Sequence, residues 1–461
     1  MPLVLLALLA CRSSAVPGPR PDVLLVVWET TRADHLSAYG YPLRTSPTLE
    51  ALAREGVLFE HHSSAAPWTL PSVTSIFTGL DPSAHGVREF EDVLPAKAET
   101  LAERMQAQGY HTAALAVNSI FEADRGLEQG FDHYFGQGDV SGPQLLQELQ
   151  TWLDTRPTDK PFFLYLHLFE PHCPYDPPDI YQGVFSPRPE ALRSGRSYSR
   201  DQWEKIFGCF QLPAPGRPGE PVLDIDPYLS AYDAELHYAD HLTGLMLQAF
   251  ASRGLLDDSL VLLLGDHGEE FLEHGDHGHG RSLYQEALHV PLIVRPPGGP
   301  GRRAELAGRR VPTPTSSLDV TATVLAATGL TVDLHGVDLA PAWEGTALPA
   351  SWDDRPIFAS TDHEAHLRSV RRGRWKLVVE VGPPAEQPER AVRAPMLFDL
   401  EEDPGERLNV AERHPATVAA LSGLLRSHES EALNWGKAIG RERRSLDAQT
   451  EEALKRLGYL D

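Results

Sequence analysis

The sequence has few cysteines, a deficit of positive charge and no long apolar run. Its 461 residues include three cysteines, so at most one disulfide can form within the chain. Lys and Arg number 41 against 65 Asp and Glu, a formal net charge of −24. This balance argues against nucleic acid as a partner and provides no attraction to anionic lipids. No run of about 20 apolar residues is present, which argues against a transmembrane helix.

The first twenty residues have the features of an export signal. The apolar run 3–10 leads directly into Cys11, which resembles a bacterial lipoprotein signal that is cleaved before a lipidated cysteine. The positive n-region is missing, so a plain secretory signal or an unprocessed tail are alternatives. We expect residues 1–20 to be signal and tether, and the chain to be exported and held to a bacterial membrane, in the periplasm or at the cell surface, only through a lipid anchor. Cys173 and Cys209 would then be left to pair or stay reduced.

Two continuous apolar runs end in residue types that bind metals. Val23–Trp28 is followed by Glu29, and Leu260–Leu264 is followed, after one glycine, by Asp266 and His267. Such runs are typical of strands buried on both faces, and a parallel sheet brings the carboxyl ends of its strands to one edge. We therefore predict that Glu29, Asp266 and His267 hold one divalent cation and leave positions open for substrate. The alternatives are a polar loop after a strand and, for Glu29, a helix-start carboxylate.

A third segment supplies a hydroxyl group. Pro71 and Ser72 are typical of a helix start and Gly79 of a helix end, so Thr69 is expected just before the amino terminus of a helix. Backbone N–H groups and the helix dipole favour an anion such as a sulfate or phosphate ester there. A hydroxyl at that point, in contact with a metal, is a candidate nucleophile, whereas the alternative role of Thr69 or Ser72 is that of an N-cap.

Strand and helix patterns alternate along the chain. Helices are predicted at 101–109, 143–155 and 228–252, and further strands at 111–117, 162–166 and 292–294. This alternation implies an α/β fold with a mainly parallel sheet covered by helices on both sides. After about residue 345 shorter strands predict a small antiparallel sheet, and 415–460 has helical spacing. Residues 176–227, rich in Pro, Gly and Arg, predict an insertion over the active-site edge or a disordered spacer.

Together these segments resemble the sulfatase family of the alkaline phosphatase superfamily. The resemblance runs from about residue 21 to the low 400s. The blocks that carry it are Val26–Leu36 with Tyr39-Gly40-Tyr41, Thr69–Val73 with Thr78-Gly79-Leu80 and His85-Gly86-Val87, His167–Tyr175, Asp266–Glu269 with His279-Gly280, Leu283–Glu286 and Val290-Pro291-Leu292, Ser317–Val320 with Gly329-Leu330 and Gly336–Leu339, Arg374–Leu377, and Leu397–Leu400 with Asp403–Glu406.

The resemblance implies an architecture and a set of roles. It implies an alkaline phosphatase-like catalytic domain over 21–345 and a smaller antiparallel subdomain with a terminal helix over 346–461. It also implies that His172 protonates the leaving alkoxide, and that His279 or Arg281 contacts the charged oxygens of the substrate. One divalent ion is expected, Ca²⁺ first, with Mn²⁺ or Zn²⁺ as alternatives. The segment 273–279 is interpreted as the polar rim of the pocket, with a second ion site as the alternative.

Several positions depart from the family pattern. Thr69 stands where the family has a Cys or Ser that is oxidised to formylglycine, and threonine cannot form that aldehyde because its carbinol carbon already bears a methyl group. Val73 replaces an arginine, and Glu29 replaces the usual aspartate. Asn118 and Arg281 lie near where two active-site lysines would align. Metal-bound threonine nucleophiles occur in phosphodiesterases and phosphoethanolamine transferases of the same superfamily.

The sequence therefore predicts a metal-dependent hydrolase of sulfate esters on a small molecule or glycan. One alternative is a phosphodiester or phosphomonoester hydrolase, or a phospho-group transferase, that uses Thr69. The other is a non-catalytic surface protein that retains the fold. Arg32 is expected to brace the carboxylates of the site, and Asp34 is a weaker metal candidate.

Overall fold

The structure, a computed structural model, describes residues 20–122, 124–138, 140–197, 224–306, 308–344, 348–363, 365–382 and 391–445. Residues 1–19 and Cys209 lie outside this part of the chain, so the export signal, the lipid anchor and the fate of the cysteine pair stay predictions. Much of the 176–227 segment also lies outside it. Within the described residues, no helix combines the length and the apolar character that crossing a membrane requires.

The described elements alternate between strand and helix through most of the chain. The strands are β1 (Asp22–Trp28), β2 (Val57–Phe59), β3 (His62–Ser63), β4 (Asp92–Val93), β5 (His111–Val117), β6 (His133–Gln137), β7 (Phe162–Leu168), β8 (Ser259–Gly265), β9 (Glu270–Phe271), β10 (His277–Gly278), β11 (His289–Val290), β12 (Leu292–Arg295), β13 (Arg309–Val311), β14 (Thr315–Ser316), β15 (Ile357–Thr361), β16 (His366–Arg372), β17 (Trp375–Gly382), β18 (Met396–Asp399) and β19 (Glu442–Arg443). The α-helices are α1 (Pro47–Glu55), α2 (Thr69–Thr78), α3 (Pro82–His85), α4 (Leu101–Ala107), α5 (Gly142–Thr155), α6 (Asp226–Ala251), α7 (Gln285–Leu288), α8 (Pro300–Leu306), α9 (Leu318–Ala327), α10 (Ala350–Asp353) and α11 (Pro415–Ile439).

The central sheet has eight strands in the order β13-β2-β12-β8-β1-β7-β5-β6. The four neighbours β8, β1, β7 and β5 are all parallel, and β12 alone among the eight runs in the opposite direction. The predicted α/β fold with a mainly parallel sheet is therefore confirmed. Because β1 pairs with both β8 and β7, the ends of these strands lie side by side.

The core explains why the strands are continuously apolar. Alternate residues of β1 enter two different hydrophobic clusters: Val23, Leu25 and Val27 pack on one face, and Leu24, Val26 and Trp28 pack on the other. Successive side chains of a strand point to opposite faces, so a strand covered by helices on both sides must be apolar at every position. The interpretation of these runs as strands buried on both faces is confirmed.

The C-terminal part forms a second sheet and then returns to the first domain. β15-β16-β17-β18 make the predicted small antiparallel sheet. The predicted helical segment from Pro415 ends at Ile439, and the chain then pairs β19 with β4 in the large domain. Arg441 places two nitrogens 2.8 and 2.9 Å from the carboxylate oxygens of Asp92, which holds this return in place.

A partly buried ion pair joins α11 to Asp81, which follows helix α2. His428 Nε2 lies 3.1 Å from Asp81 Oδ2, and its ring stacks on Phe358 with centroids 3.8 Å apart. Burial alone would lower the pKa of His428, but the hydrogen bond and charge of Asp81 outweigh it and the net pKa is raised. Asp81 itself has a lowered pKa. The pair therefore stabilises the fold above about pH 4, where Asp ionises in the unfolded chain, and this contribution is lost as pH rises through the raised pKa of His428.

We expect His428→Phe, which keeps an aromatic ring against Phe358, to lower the free energy of unfolding by about 1–2 kcal/mol near pH 6 and by less near pH 9. Thermal unfolding of the variant and the wild type at both pH values measures the difference. An equal loss at the two values would show that the charge of His428 contributes nothing.

Candidate active site

Four neighbouring strands deliver polar side chains to one edge of the sheet. Glu29 follows β1, Asp266 and His267 follow β8, and Asn118 follows β5. His167 lies near the end of β7, opposite Val27 in register. All five side chains are buried. The carboxyl edge of the parallel sheet is thus the place where these groups meet, as the strand pattern predicted for Glu29, Asp266 and His267.

Glu29, Asp266 and His267 converge on one point. Each offers one ligand atom, and these atoms all lie within 4.8 Å of one another. Thr69 joins them: its Oγ1 donates to Glu29 Oε1 at 2.8 Å and lies 3.1 Å from His267 Nε2. His267 Nδ1 lies 2.9 Å from the Gly268 carbonyl oxygen, so Nδ1 carries the proton and Nε2 presents a lone pair to the cluster. Among the described residues this is the only group of three or more such ligands.

Asp266 is held by the backbone on one oxygen and has the other available. Its Oδ1 accepts from the N–H groups of Thr30 at 3.1 Å and His267 at 2.7 Å. Its Oδ2, fully buried, has no hydrogen-bond partner among the described residues. A buried carboxylate oxygen without a partner costs free energy unless a cation occupies the space beside it.

The turn after β1 is strained in a way that serves this geometry. Thr30 has φ = 46°, a left-handed conformation that is rare for a β-branched residue. The Tyr232 hydroxyl holds the turn, because it donates to the Thr30 carbonyl at 2.7 Å and accepts from the Arg32 N–H at 3.0 Å. The strain directs the Thr30 N–H toward Asp266 and connects the ends of β1 and β8.

The charges of Glu29, Asp266 and His267 favour a bound cation. Burial and the nearby Glu29 raise the pKa of Asp266 well above its usual range. Burial would also raise the pKa of Glu29, but the hydrogen bond of His167, the electrostatic attraction of His172 and His167 and the hydrogen bond of Thr69 outweigh it, and the net pKa is lowered. Burial lowers the pKa of His267. No Lys or Arg of the described chain is among the main influences on these three groups.

Thr69 is the first residue of helix α2, whereas the sequence pattern predicted it just before the helix. Trp68 is the N-cap of α2. Gly79 ends the helix in a left-handed conformation, as expected. All ten residues of α2 are buried. Ser72 does not cap the helix; its Oγ donates to the Asp266 carbonyl at 2.6 Å and so ties helix α2 to the turn after β8. Val73 packs in the core.

His172 and His279 form the next layer of the site. Their ring centroids are 5.2 Å apart, and the ring of His279 lies 4.5 Å from that of His267. His172 Nδ1 lies 2.6 Å from the Cys173 carbonyl oxygen, so a neutral ring has Nε2 as its acceptor. Burial lowers the pKa of His172, although Glu29 and Glu269 oppose this. A neutral imidazole is suited to accept a proton before it donates one.

Glu269 orients His279 from the far side. Its Oε1 lies 3.1 Å from His279 Nδ1, and its Oε2 accepts from the Tyr175 hydroxyl at 3.1 Å. Burial would raise the pKa of Glu269, but the charge and hydrogen bond of His279 outweigh it and the net pKa is lowered. An ionised Glu269 fixes Nδ1 of His279 as a hydrogen-bond donor.

Three predicted residues lie beside the cluster. Arg281 lines a neighbouring cavity of about 230 Å³ with Glu270, Ser282 and Arg393, and its contact with a substrate stays a prediction. Arg32 does not brace Glu29 or Asp266: its guanidinium pairs with Asp34 and Glu273, each at 2.8 Å. Asp34 is held by that pair and lies outside the ligand cluster.

Two residues of the site had no role assigned from the sequence. Asn118 Nδ2 donates to Glu29 Oε1 at 2.6 Å, and His167 Nε2 donates to Glu29 Oε2 at 3.1 Å. Asn118 immediately follows a predicted strand, so the strand-end argument used for Glu29 would have identified it. For His167, the signal was a single imidazole in an otherwise apolar run, Phe162–Leu168.

Comparison with known proteins identifies the family of this chain. The sequence matches the Sulfatase family model over residues 21–330, more than half of the chain. The chain belongs to the sulfatase family. This family generally uses a divalent metal, and Glu29, Asp266 and His267 form a carboxylate–histidine group suited to hold one. The chain is thus a sulfatase-like ester hydrolase.

Relatives with known activities cover nearly the whole chain. A choline-sulfatase of Rhizobium meliloti is 24% identical over 95% of this chain and 90% of its own. Arylsulfatase A of Homo sapiens is 25% identical over 94% and 92%. Among solved structures, a phosphonate monoester hydrolase of Agrobacterium radiobacter matches with a TM-score of 0.71 at 23% identity, over 93% of this chain and 100% of its own. At such identity the structural likeness shows the alkaline phosphatase-like sulfatase fold alone.

A second solved structure illustrates what sulfatase folds accommodate. It holds its substrate D-glucosamine-2-N,6-O-disulfate and matches with a TM-score of 0.72 at 18% identity, over 90% of this chain and 98% of its own. The architecture therefore suits sulfated sugars in other proteins.

Proposed function

We propose that this protein hydrolyses sulfate esters of a small molecule or glycan, with Thr69 as a covalent nucleophile beside a divalent cation held by Glu29, Asp266 and His267. The observation that carries the proposal is the contact of Thr69 Oγ1 with both Glu29 and His267, at 2.8 and 3.1 Å. The Thr69 hydroxyl thus points into the ligand cluster.

The donor set fits a divalent cation and bears on its identity. Asp266 Oδ2 lacks a partner in the described chain, and His267 Nε2 presents a lone pair. Ca²⁺ takes six to eight oxygen ligands, whereas Zn²⁺ accepts imidazole nitrogen in sets of four, and Mn²⁺, although it prefers oxygen, is content with six ligands. Both Glu29 oxygens already accept hydrogen bonds, which limits this residue to few metal bonds. We therefore favour Zn²⁺ or Mn²⁺ over the Ca²⁺ that the family resemblance suggested.

The residues of the site have separate roles in the proposed reaction. A bound divalent cation would lower the pKa of the Thr69 hydroxyl and polarise an ester oxygen. Thr69 Oγ1 attacks sulfur, forming one S–O bond as the bond to the leaving alkoxide breaks. Neutral His172 takes up the proton that Thr69 loses and returns it to the alkoxide, a contribution worth roughly 10²–10⁴-fold. Because Thr69 carries a single oxygen on Cβ, water must then attack sulfur to release sulfate and regenerate the alcohol.

The charge of the site limits the substrate class. Two carboxylates balance one divalent cation, and no Lys or Arg is among the main influences on the ligand residues of the described chain. A reacting group with one negative charge suits this balance, whereas a phosphate monoester brings two near neutral pH. Sulfate esters and phosphodiesters each carry one charge.

Phosphodiester or phosphonate ester hydrolysis is the second candidate. Thr69 is an ordinary alcohol, and a phosphoryl-threonine can be resolved by water or by an acceptor alcohol. The likeness to a phosphonate monoester hydrolase, whose substrates also carry one charge, favours this candidate over phosphate monoesters.

Turnover of three nitrophenyl esters distinguishes the candidates. The metal-free protein is loaded with Zn²⁺, Mn²⁺ or Ca²⁺ and assayed with nitrophenyl sulfate, bis-nitrophenyl phosphate and nitrophenyl phosphate. We expect the sulfate to be hydrolysed, with the phosphate monoester at least about tenfold slower, which is about 1.4 kcal/mol of transition-state stabilisation.

Any other result of this assay would indicate a different function. Faster hydrolysis of the phosphodiester than of the sulfate would favour the second candidate. No hydrolysis of any ester, together with no stoichiometric metal in the purified protein, would leave the non-catalytic surface protein.

A further inference from the structure

His167 is a buried imidazole inside an apolar strand. Its side chain is fully shielded from solvent, as is that of Glu29. It lies two residues from Tyr165 on the same face of β7, and the ring of Phe121 packs 4.8 Å from its own. A polar group with full burial costs free energy unless its bonds are satisfied. Its neighbours therefore determine what this ring does.

Both ring nitrogens of His167 have a defined partner. Nδ1 lies 2.7 Å from the Tyr165 hydroxyl, and Nε2 lies 3.1 Å from Glu29 Oε2. A carboxylate can only accept, so Nε2 carries a proton. In a neutral ring Nδ1 is then an acceptor, and the Tyr165 hydroxyl donates to it. Burial raises the pKa of Tyr165 well above its usual range, which keeps the phenol protonated. Tyr165, His167 and Glu29 form a directed chain of hydrogen bonds.

This chain of hydrogen bonds ends on Glu29, the residue whose carboxylate most needs to be oriented. A glutamate has one more rotatable bond than the aspartate that the family places here, so its carboxylate requires more restraint to act as a ligand. His167 restrains Oε2, while Asn118 and Thr69 contact Oε1 at 2.6 and 2.8 Å. With Oε2 engaged by His167, Oε1 is directed toward Thr69 and Asn118.

We propose that His167, itself oriented by Tyr165, is a positioning residue that fixes the Glu29 carboxylate for metal binding. The inference rests on the proposed function, because it takes Glu29 to be a ligand. Partners of metal-ligating groups typically contribute 10–100-fold to metal affinity, since they orient the ligand before the ion arrives. The juxtaposition that carries this inference is one imidazole held between a phenol and the candidate ligand, all within one buried cluster.

The test measures the Zn²⁺ and Mn²⁺ dissociation constants of the full chain by competition with a chromophoric chelator. His167→Leu removes the N–H donor, and we expect it to weaken metal binding about 10–100-fold. His167→Gln places an amide N–H near the position of Nε2, and we expect affinity close to that of the wild type. Tyr165→Phe should weaken binding by an intermediate factor, because the His167 ring loses its orientation.

A matched control separates positioning from packing. Tyr134→Phe on the adjacent part of the sheet also removes a phenol hydrogen bond, a partly buried one from Tyr134 to the Phe121 carbonyl at 2.7 Å. We expect its metal affinity to be unchanged. Thermal unfolding of each metal-free variant shows whether it is folded; if His167→Leu is not, Tyr165→Phe and His167→Gln carry the test.

The outcomes separate this inference from the proposed function. Wild-type affinity in a folded His167→Leu, or an equal loss in His167→Gln and His167→Leu, would overturn the positioning role alone. A wild-type protein that binds none of Zn²⁺, Mn²⁺ and Ca²⁺ would overturn both the role and the proposed metal site.

Discussion

Replacing Thr69 by alanine is expected to lower kcat by roughly 10⁴-fold or more, because the reaction loses the atom that forms the covalent intermediate. The change removes the hydroxyl that contacts Glu29 and His267 but no other ligand atom. Metal binding should therefore persist, though more weakly. Steady-state rates with the best nitrophenyl ester and the metal content of the purified variant measure the two effects.

Thr69→Ser is the matched control, since it keeps an alcohol at the start of α2. We expect it to retain most activity, and quenched wild-type reactions to yield a peptide in which Thr69 carries one sulfuryl or phosphoryl group by mass spectrometry. Full activity in Thr69→Ala would show that water attacks directly, and that the threonine serves only as a buried neighbour of Glu29.

The sequence predicted the edge of the sheet where the site lies, for a clear physical reason. A strand covered on both faces must be apolar throughout, so its first polar residue marks its carboxyl end. That rule located Glu29 and Asp266, 237 positions apart in the chain, at the ends of two strands, and the register of Trp28 with Gly265 shows that these strands are neighbours. Sequence alone could not show which strands are neighbours.

The directions in which side chains point were harder to predict from the sequence. Arg32 has the right charge and sequence position to brace the ligands, yet its guanidinium pairs with Asp34 and Glu273 instead. The role of His167 could not be predicted for a different reason. Its role depends on β7 pairing with β1, which places it beside Val27 and within reach of Glu29, and no local pattern encodes that pairing.

Asp266→Asn is expected to abolish metal binding and turnover while leaving the fold intact. Asn retains one side-chain oxygen, which can accept from the Thr30 and His267 N–H groups as Oδ1 does now. Its amide nitrogen replaces Oδ2, the oxygen without a partner in the described chain. An amide nitrogen does not ligate Zn²⁺ or Mn²⁺, so metal affinity should fall by more than the roughly 10–100-fold that loss of an outer partner costs.

The same change removes a repulsion, which makes stability the informative second measurement. Burial and Glu29 both disfavour the ionised form of Asp266, so the metal-free Asp266→Asn protein should unfold at the same temperature as the metal-free wild type or higher. Asp240→Asn is the control: this buried acid accepts from the N–H groups of Thr48 and Leu49, at 2.8 and 2.9 Å, at the start of α1. We expect that variant to lose stability and keep its metal. The reverse pattern, with Asp266→Asn destabilised and still loaded, would mean that Asp266 serves the turn between β1 and β8 and that the ion lies elsewhere.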